Sequence, residues 1–334
     1  MQLRPTRSLL WFVSLSALLA GCGGEGGGGP PATDHTFVLD SLIVPATSAE
    51  ALTEYGLDID GKENDADRGV DNALGRTFAT LSAMVGIDIA TAVAAGVDDG
   101  SILMLANVNS ADLASAEGAE IGLYLGANPN PVACDGPDDE TCRNHLTGTG
   151  SFEISPDSPT DTVIGGSIES GSFAMGADDE PGRLTLPFPS LDGSAPIAVE
   201  LVGARISVAA VSETELADGI LGGAIPLEDF EATILPSFHQ GLTAAVATDC
   251  TGTAPDCCTP DSAGEGVVDL FDADDDCAVS FEEFRGNFLI TLLINPDVDL
   301  FDDTGAYNPN SDGVLDSLSL GLGFSATTGT FAVP

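Results

Sequence analysis

The fold is decided by residues 101–225, which contain the runs SILMLANV (101–108), EIGLYLGA (120–127), GSFEIS (150–155), TVIGGSI (162–168), SGSFAMGA (170–177), RLTLPFP (183–189), PIAVELVG (196–203) and RISVAAVS (205–212). Each run is short and either apolar or alternating, and glycine, proline, asparagine and aspartate separate the runs. Short runs of this kind, repeated at a spacing of roughly 8–15 residues, are typical of antiparallel strands joined by turns. The stretch therefore predicts a β-rich antiparallel core, either a sandwich or a curled sheet.

The segments around this core add strands and helices. HTFVLDSLIV (35–44) and residues 318–333 are strand-like. Apolar residues at helical spacing predict helices over 71–85, 87–97, 227–246 and 281–294, with Pro236 expected to break the third. We therefore expect an α+β protein with several helices around an antiparallel sheet, and the pattern is compatible with one domain or two.

The first residues, MQLRPTRSLLWFVSLSALLAGC (1–22), have the organisation of an export signal. Two arginines precede an apolar run that is too short for a stable transmembrane helix. The segment ends in Leu-Ala-Gly-Cys, which resembles the lipobox of bacterial lipoproteins. The resemblance implies removal of residues 1–21 and lipidation of Cys22, which would attach the chain to a membrane. An ordinary secretory signal with a chance cysteine is the alternative.

With residues 1–21 removed, the mature chain is expected to consist of a tether and a globular body. Residues 22–34 are rich in glycine and proline and are expected to act as a flexible tether. Residues 35–334 would form a globular, extracytoplasmic body, with calcium-type loops concentrated at about 249–316. The residue after Cys22 is Gly23, which favours the outer membrane by resemblance to lipoprotein sorting in enteric bacteria.

The charge of the chain limits its partners. Its 334 residues include 53 acidic and 9 basic side chains, for a net charge of −44. Such acidity excludes direct binding to nucleic-acid phosphates and favours cations. A hydrophobic content of 43% argues against extensive disorder. An acid-rich surface with a single lysine, Lys62, is also typical of adaptation to high salt, which remains an alternative reason for the charge.

The cysteines of the body indicate disulfides. An even number of cysteines behind an export signal favours pairing. The first two bracket an acidic loop and are expected to pair. The adjacent Cys257 and Cys258 are not expected to bond to each other, so Cys250 and Cys277 should each pair with one of them. A zinc cluster is the alternative, although paired CxxC spacing is missing. The six cysteines are Cys134, Cys142, Cys250, Cys257, Cys258 and Cys277.

Residues 272–283, DADDDCAVSFEE, have the spacing of a calcium-binding loop. Calcium takes six to eight oxygen ligands, and acids at alternate positions of a tight loop can face one ion. The stretch resembles the EF-hand loop. Position 6 of that loop needs positive φ and is usually glycine, whereas here it is Cys277, at a cost of roughly 1–2 kcal/mol. The implied ligands are Asp272, Asp274, Asp276, the carbonyl of Ala278, Ser280 and a bidentate Glu283. Because the entering segment is short, half an EF-hand is the alternative to a complete one.

Two further acidic stretches, 57–75 and 297–321, resemble each other. Each opens with two aspartates two residues apart, passes through a polar insertion and closes with Gly-Val followed by an acid. They are similar to the DxDxDG calcium loops of secreted bacterial proteins, with residues inserted. A solvated acidic turn is the alternative. The implied ligands are Asp58, Asp60 and Asp71 in the first stretch, and Asp297, Asp299, Asp312 and Asp316 in the second.

The motifs favour a binding protein over an enzyme. The sequence contains no HExxH, P-loop or GxSxG motif, and its three histidines lie far apart. We expect a membrane-anchored lipoprotein that binds calcium structurally and has a structural, adhesive or ligand-binding role toward an unknown surface protein or glycan. A carbohydrate- or cell-wall-binding module and a calcium-dependent hydrolase are the alternatives.

Overall fold

The computed structural model describes residues 31–62, 70–85, 88–136, 138–160, 162–175, 181–188 and 196–334. The predicted signal, the lipidation site Cys22 and the first part of the tether lie outside the described residues. Within the described part of the chain, none of the helices has the length and apolar character needed to cross a membrane.

The described residues form ten strands and eight α-helices. A 3₁₀ turn (Asn144–Leu146) precedes the fourth strand, and a π-helical turn (Phe230–Ile234) joins the fourth and fifth helices. The strands are β1 (Thr33–Ile43), β2 (Met104–Ser110), β3 (Ser115–Asn130), β4 (Gly150–Ile154), β5 (Val163–Glu169), β6 (Ser172–Ala174), β7 (Gly182–Phe188), β8 (Ile197–Val211), β9 (Glu215–Pro226) and β10 (Ser317–Thr330). The helices are α1 (Ser48–Thr53), α2 (Ala73–Val85), α3 (Ile89–Asp99), α4 (Leu227–Asp229), α5 (Leu235–Asp249), α6 (Ala263–Phe271), α7 (Phe281–Gly286) and α8 (Phe288–Leu293).

The sheet closes on itself into an eight-stranded barrel in the order β1-β2-β3-β5-β6-β8-β9-β10, with β10 pairing back onto β1. All eight pairings in this ring are antiparallel. Strand β7 pairs with β8 outside the ring, and β4 pairs with β3 and runs parallel to β10. The β-rich α+β class predicted from the sequence is confirmed, whereas a sandwich is not.

Part of the barrel wall is buried on both faces because helices cover part of the outer surface. Along β10, residues 317–324 are all buried. A strand with one face in solvent would instead alternate between buried and exposed residues. Phe78 of α2 packs against Phe238 of α5 with ring centroids 5.8 Å apart, and both belong to the same core as Phe37 and Phe324 of the barrel. Burial of each such side chain contributes about 1.5–3 kcal/mol.

Two helix boundaries differ from the sequence prediction. Pro236 does not break its helix, because it lies in the first turn of α5 directly after the π-helical turn, where the amide of Leu235 already bonds back to Phe230. The helix predicted over 281–294 divides at Asn287, whose backbone is extended at φ −64° and ψ 135°. Its side chain caps α8 by accepting from the amide of Leu289 at 2.9 Å.

An open edge of β10 positions two of the acidic stretches. Strand β1 pairs with β10 only from Gly323 onward, so the edge before that residue needs other partners. Gly321 donates to Asn72 Oδ1 at 2.9 Å and accepts from Asn72 Nδ2 at 3.0 Å, while the amide of Ser319 donates to Asp297 at 2.8 Å. A Cβ on Gly321 would lie 1.9 Å from the carbonyl oxygen of Tyr55, so this approach requires glycine.

Candidate metal centres

The loop 272–283 lies between two short helices with defined caps. Helix α6 ends at Phe271, and α7 begins after Ser280, whose hydroxyl accepts from the amide of Glu283 at 3.2 Å. The Glu283 carboxylate accepts in return from the amide of Ser280 at 2.8 Å, which completes a capping box. The other carboxylate oxygen of Glu283 accepts from the amide of Ala273 at 3.0 Å, so this side chain spans the loop from its last position to its second.

Asp272, Asp274 and Asp276 converge within this loop. Each contributes one carboxylate oxygen to a group whose members all lie within 4.8 Å of one another. Asp276 raises the pKa of the exposed Asp274 carboxyl, with smaller contributions from desolvation, Glu283 and Asp272. Because these groups repel one another, a cation between them would relieve the repulsion. The structure thus brings together the acids that the sequence assigned to positions 1, 3 and 5.

Backbone contacts hold the loop in shape. Asp272 accepts from the amides of Asp276 at 3.2 Å and Cys277 at 2.8 Å. Cys277 has φ 70°, the left-handed conformation expected at position 6. The ring nitrogen Nε2 of His239, on α5, lies 2.8 Å from the carbonyl oxygen of Val279 and ties the loop to that helix. Ala278 and Ser280 are positions 7 and 9 of the loop, on either side of Val279.

Asp58, Asp60 and Asp71 form a second group with oxygens within 4.8 Å of one another. Asp60 and Asp71 are only 5% and 4% exposed, so this group is far more buried than the first. Asp71 accepts from the amide of Ile59 at 2.7 Å, and Asp58 accepts from Gly61 at 2.7 Å. These bonds hold the carboxylates of Asp71 and Asp58 in place. The insertion at 63–69 lies outside the described residues.

The third stretch does not bring its predicted ligands into one group of three within the described chain. Asp297 is half-buried, desolvation raises the pKa of its carboxyl, and the carboxylate accepts from both the amide and the hydroxyl of Ser319. Asp316 accepts from the amides of Leu300 and Phe301 at 3.2 and 2.9 Å. Of the other two predicted ligands, Asp312 accepts from the amide of Val314. Asp299 accepts from the amide of Gly313 through Oδ2. Its other carboxylate oxygen, the buried Oδ1, has no hydrogen-bond partner among the described residues.

The stretches 57–71 and 298–317 nevertheless share one backbone pattern. Asp71 donates its amide to the carbonyl of Leu57, and Asp316 donates its amide to Val298. The carboxylate of Asp71 also accepts from the amide of Ile59, and that of Asp316 accepts from the amide of Leu300. In both stretches this donor lies two residues after the carbonyl named above. By this pattern Asp58 corresponds to Asp299, a register that the spacing of acids alone does not give. Asn310 joins the two stretches by donating from Nδ2 to the carbonyl of Asp60 at 2.5 Å.

The disulfide framework expected from the sequence is present. Cys134 pairs with Cys142, and both of these residues flank the acidic loop between them. Cys250 pairs with Cys258 and Cys257 with Cys277, which selects one of the two arrangements left open. The last bridge ends at position 6 of the EF-hand-like loop. It therefore fixes the residue that replaces glycine there.

Sequence reasoning missed the residues that support these groups. Asn72 makes five hydrogen bonds between α1, α2 and β10, and Asn310 joins the two related stretches. Asn72 follows a predicted ligand directly, which is the one local signal of its role. His145 is fully buried, and neither ring nitrogen has a hydrogen-bond partner among the described residues. Burial lowers its pKa, and nearby Arg143 lowers it further.

Comparison with protein-family models, with curated proteins and with solved structures finds no match for this chain. The case for function therefore rests on the chemistry of its own residues.

Proposed function

We propose that this protein is a lipid-anchored, extracytoplasmic protein that binds calcium, and that the ion is structural. The observation that carries the proposal is the convergence of Asp272, Asp274 and Asp276 at EF-hand spacing, with carboxylate oxygens within 4.8 Å. A surface adapted to high salt needs many acids but does not need three of them on one tight loop. Mutual repulsion raises the pKa of Asp274, and a divalent cation between the carboxylates would offset that repulsion.

A bound ion would act on the packing of helices. The loop joins α6 to α7 and is held to α5 through His239 and Val279. Phe271 and Phe284 pack edge to face behind it with centroids 5.3 Å apart. An ion that binds only the folded loop would stabilise this assembly by RT ln(1 + [L]/Kd). With calcium near 1 mM and a Kd of about 10⁻⁴–10⁻³ M, the gain is roughly 0.4–1.4 kcal/mol.

Calorimetry of the full chain tests the proposal. Calcium should raise the melting temperature relative to EDTA in low-ionic-strength buffer, and titration calorimetry should show binding. The variant Asp274→Asn should lose the response. Asp275→Asn is the matched control, because it removes the same charge from the same loop at a position outside the cluster. An unchanged melting temperature and circular dichroism spectrum in EDTA would refute the proposal, as would equal losses in both variants.

The anchor is a separate part of the proposal, supported by the sequence at Cys22. Metabolic labelling with a fatty acid should mark the wild-type protein in a bacterial host, and Cys22→Ser should remove the label and release the chain from the membrane fraction. Release of the wild type in the same fractionation would contradict the anchor. A structural or adhesive task on the cell surface is the role most compatible with an anchored body of this kind.

A further inference from the structure

We propose that the segment between β3 and β4 is a pH-sensitive latch, which protonation of His145 releases from α3 and β1. The β3–β4 connection comprises residues 131–149, of which all but 137 are described, and His145 lies in its 3₁₀ turn. None of the calcium ligands predicted above belongs to this connection. The inference is therefore independent of the calcium proposal.

The β3–β4 connection is compact and lies outside the closed ring of the barrel. The Cys134–Cys142 disulfide joins its two arms, and the amide of Asn144 donates to the carbonyl of Ala133 at 3.0 Å. The connection leads into β4, which is not one of the eight ring strands. It can therefore move away as a unit while every strand pairing of the ring is kept.

Arg143 attaches the connection to its neighbours. Its amide donates to the carbonyl of Asp98 in α3 at 2.9 Å, and its guanidinium forms an ion pair with the carboxylate of the same residue. A second guanidinium nitrogen donates to the carbonyl of Asp40 on β1 at 2.9 Å. The side chains of the ion pair are 46% and 39% exposed, and an ion pair this exposed holds the connection only weakly. The buried contacts beneath it therefore decide whether the connection stays attached.

His145 provides these buried contacts. Its side chain is 0% exposed, and its ring packs edge to face against Phe152 of β4 with centroids 6.4 Å apart. The end of α3 reaches the ring at Gly100, where an added Cβ would lie 3.6 Å from Nε2. Neither ring nitrogen has a hydrogen-bond partner among the described residues. A protonated ring carries a full charge and two N–H donors, so it needs acceptors that the described residues do not supply at this buried position.

Burial opposes the charged form of this ring. Desolvation is the main cause that lowers the pKa of His145, and the charge of Arg143 lowers that pKa further. Asp98 and Asp99, at the end of α3, act in the opposite direction without restoring the ordinary value. The attached connection therefore keeps the ring neutral at a pH where an exposed histidine is protonated.

Two more carboxylates lie on elements packed against the 3₁₀ turn, Asp40 on β1 and Glu153 on β4. Asp40 accepts from the hydroxyl of Ser325 at 2.6 Å, and Glu153 accepts from Nδ2 of Asn128 at 2.6 Å. Both carboxylates are thus bonded to other side chains, and neither is a hydrogen-bond partner of the imidazole.

The direction of the switch follows from this difference in pKa. In the released connection the ring is exposed to water and has the ordinary pKa of about 6.5. As pH falls below that value, the released form binds a proton more readily than the attached form, so the released population rises. Between pH 7.5 and 5.0 the ratio of released to attached molecules should rise by roughly 10- to 30-fold, the upper figure applying if the attached ring takes up no proton. Release also uncovers Phe152, which is 6% exposed in the attached form.

Hydrogen exchange of the full chain, followed by NMR at pH 7.5 and 5.0, tests the inference. The exchange rate of each amide is compared with its rate in an unstructured peptide at the same pH, which gives a protection factor. The amide of Arg143 reports attachment because its acceptor, the carbonyl of Asp98, lies in α3. Its protection should be lower than that of amides in β8 and β9 at both pH values, and it should fall by roughly 10- to 30-fold at pH 5.0.

His145→Leu should abolish this fall in protection, because the group that takes up the proton is removed. The matched control is His35→Leu, which removes a histidine of β1 that lies outside the connection and has a side chain 19% exposed. This control should keep the fall. His145→Phe, which keeps a ring against Phe152, replaces the leucine variant if that protein does not fold.

Four results would overturn the inference. Unchanged protection of the Arg143 amide at pH 5.0 in the wild type would show that nothing is released. Protection of that amide equal to the protection of β8 and β9 would show global unfolding in place of release. An equal fall in the wild type and in the His145 variants would assign the pH dependence to another group, as would its loss in His35→Leu.

Discussion

Replacing Asn72 with leucine should separate the first acidic stretch from the barrel. The side chain is 1% exposed, and leucine has a similar shape without donors or acceptors. Asn72 Nδ2 donates to the carbonyls of Ala51, Tyr55 and Gly321 at 3.0, 3.3 and 3.0 Å. Its Oδ1 accepts from the amides of Gly75 and Gly321 at 3.0 and 2.9 Å. The substitution would leave all of these backbone groups without this partner.

The magnitude follows from the hydrogen bonds that are lost. Each contributes about 0.5–1.5 kcal/mol net, and the long bond to Tyr55 falls at the low end. The expected loss of unfolding free energy is therefore about 3–5 kcal/mol. At about 2 °C per kcal/mol for a chain of this length, the melting temperature should fall by roughly 6–10 °C.

Chemical denaturation followed by circular dichroism measures this loss. The control is Asn295→Leu, because Asn295 is exposed and makes one long hydrogen bond of 3.4 Å to the carbonyl of the next residue. It should change stability by no more than about 0.5 kcal/mol. If Asn72→Leu costs less than about 1 kcal/mol, the edge of β10 does not depend on this side chain and the reasoning fails.

Three further predictions concern pH, the disulfide at the loop and a surface ion pair. The fold lowers the pKa of His145, so the free energy of unfolding should fall as pH drops below the unfolded pKa of about 6.5. Calorimetry between pH 8 and 5 should show a smaller loss of stability in His145→Leu than in the wild type. An identical dependence of stability on pH in both proteins would contradict this. Cys257→Ser should weaken calcium binding by about tenfold, because Cys277 must then hold its positive φ without the disulfide. The double variant Cys257→Ser with Cys277→Gly should recover the affinity measured by titration calorimetry. If it does not, backbone strain at residue 277 is not the cause. Glu231→Gln should cost less than about 1 kcal/mol in thermal unfolding, because the pair with Arg285 is exposed; a larger cost would assign this pair a structural role.

The strands could be predicted because their signal is local. Alternation over residues 318–333 predicts a strand, and the structure has β10 at Ser317–Thr330. The closure of the sheet could not be predicted, since nothing local records that Leu39 pairs with Ala326. The rule that proline ends helices failed at Pro236 because the preceding π-helical turn shifts the hydrogen-bond pattern. Such corrections arise from tertiary packing that overrides local preference.

The candidate metal groups could likewise be predicted from the sequence only in part. The EF-hand spacing places Asp272, Asp274 and Asp276 together because three acids at alternate positions of one tight loop need no distant partner. At 297–316 the acids are spread along a longer stretch and accept from amides of different segments, Asp297 from Ser319 and Asp316 from Leu300. A sequence shows the carboxylates and not the amides that they will meet. The amide side chains of Asn72 and Asn310 were missed for the same reason.

The pairing of β1 with β10 has a consequence for how the chain reaches its native state. The hydroxyl of Ser325 reaches Asp40 across 285 residues of sequence, so the last seam forms between segments that meet late. Until then β1 and β9 each expose a ladder of unpaired amides, the kind of edge that recruits other chains into aggregates. Once the seam is made, those two strands are paired on both sides. Protection of the folding chain would matter most in the interval before residues 317–330 insert between them.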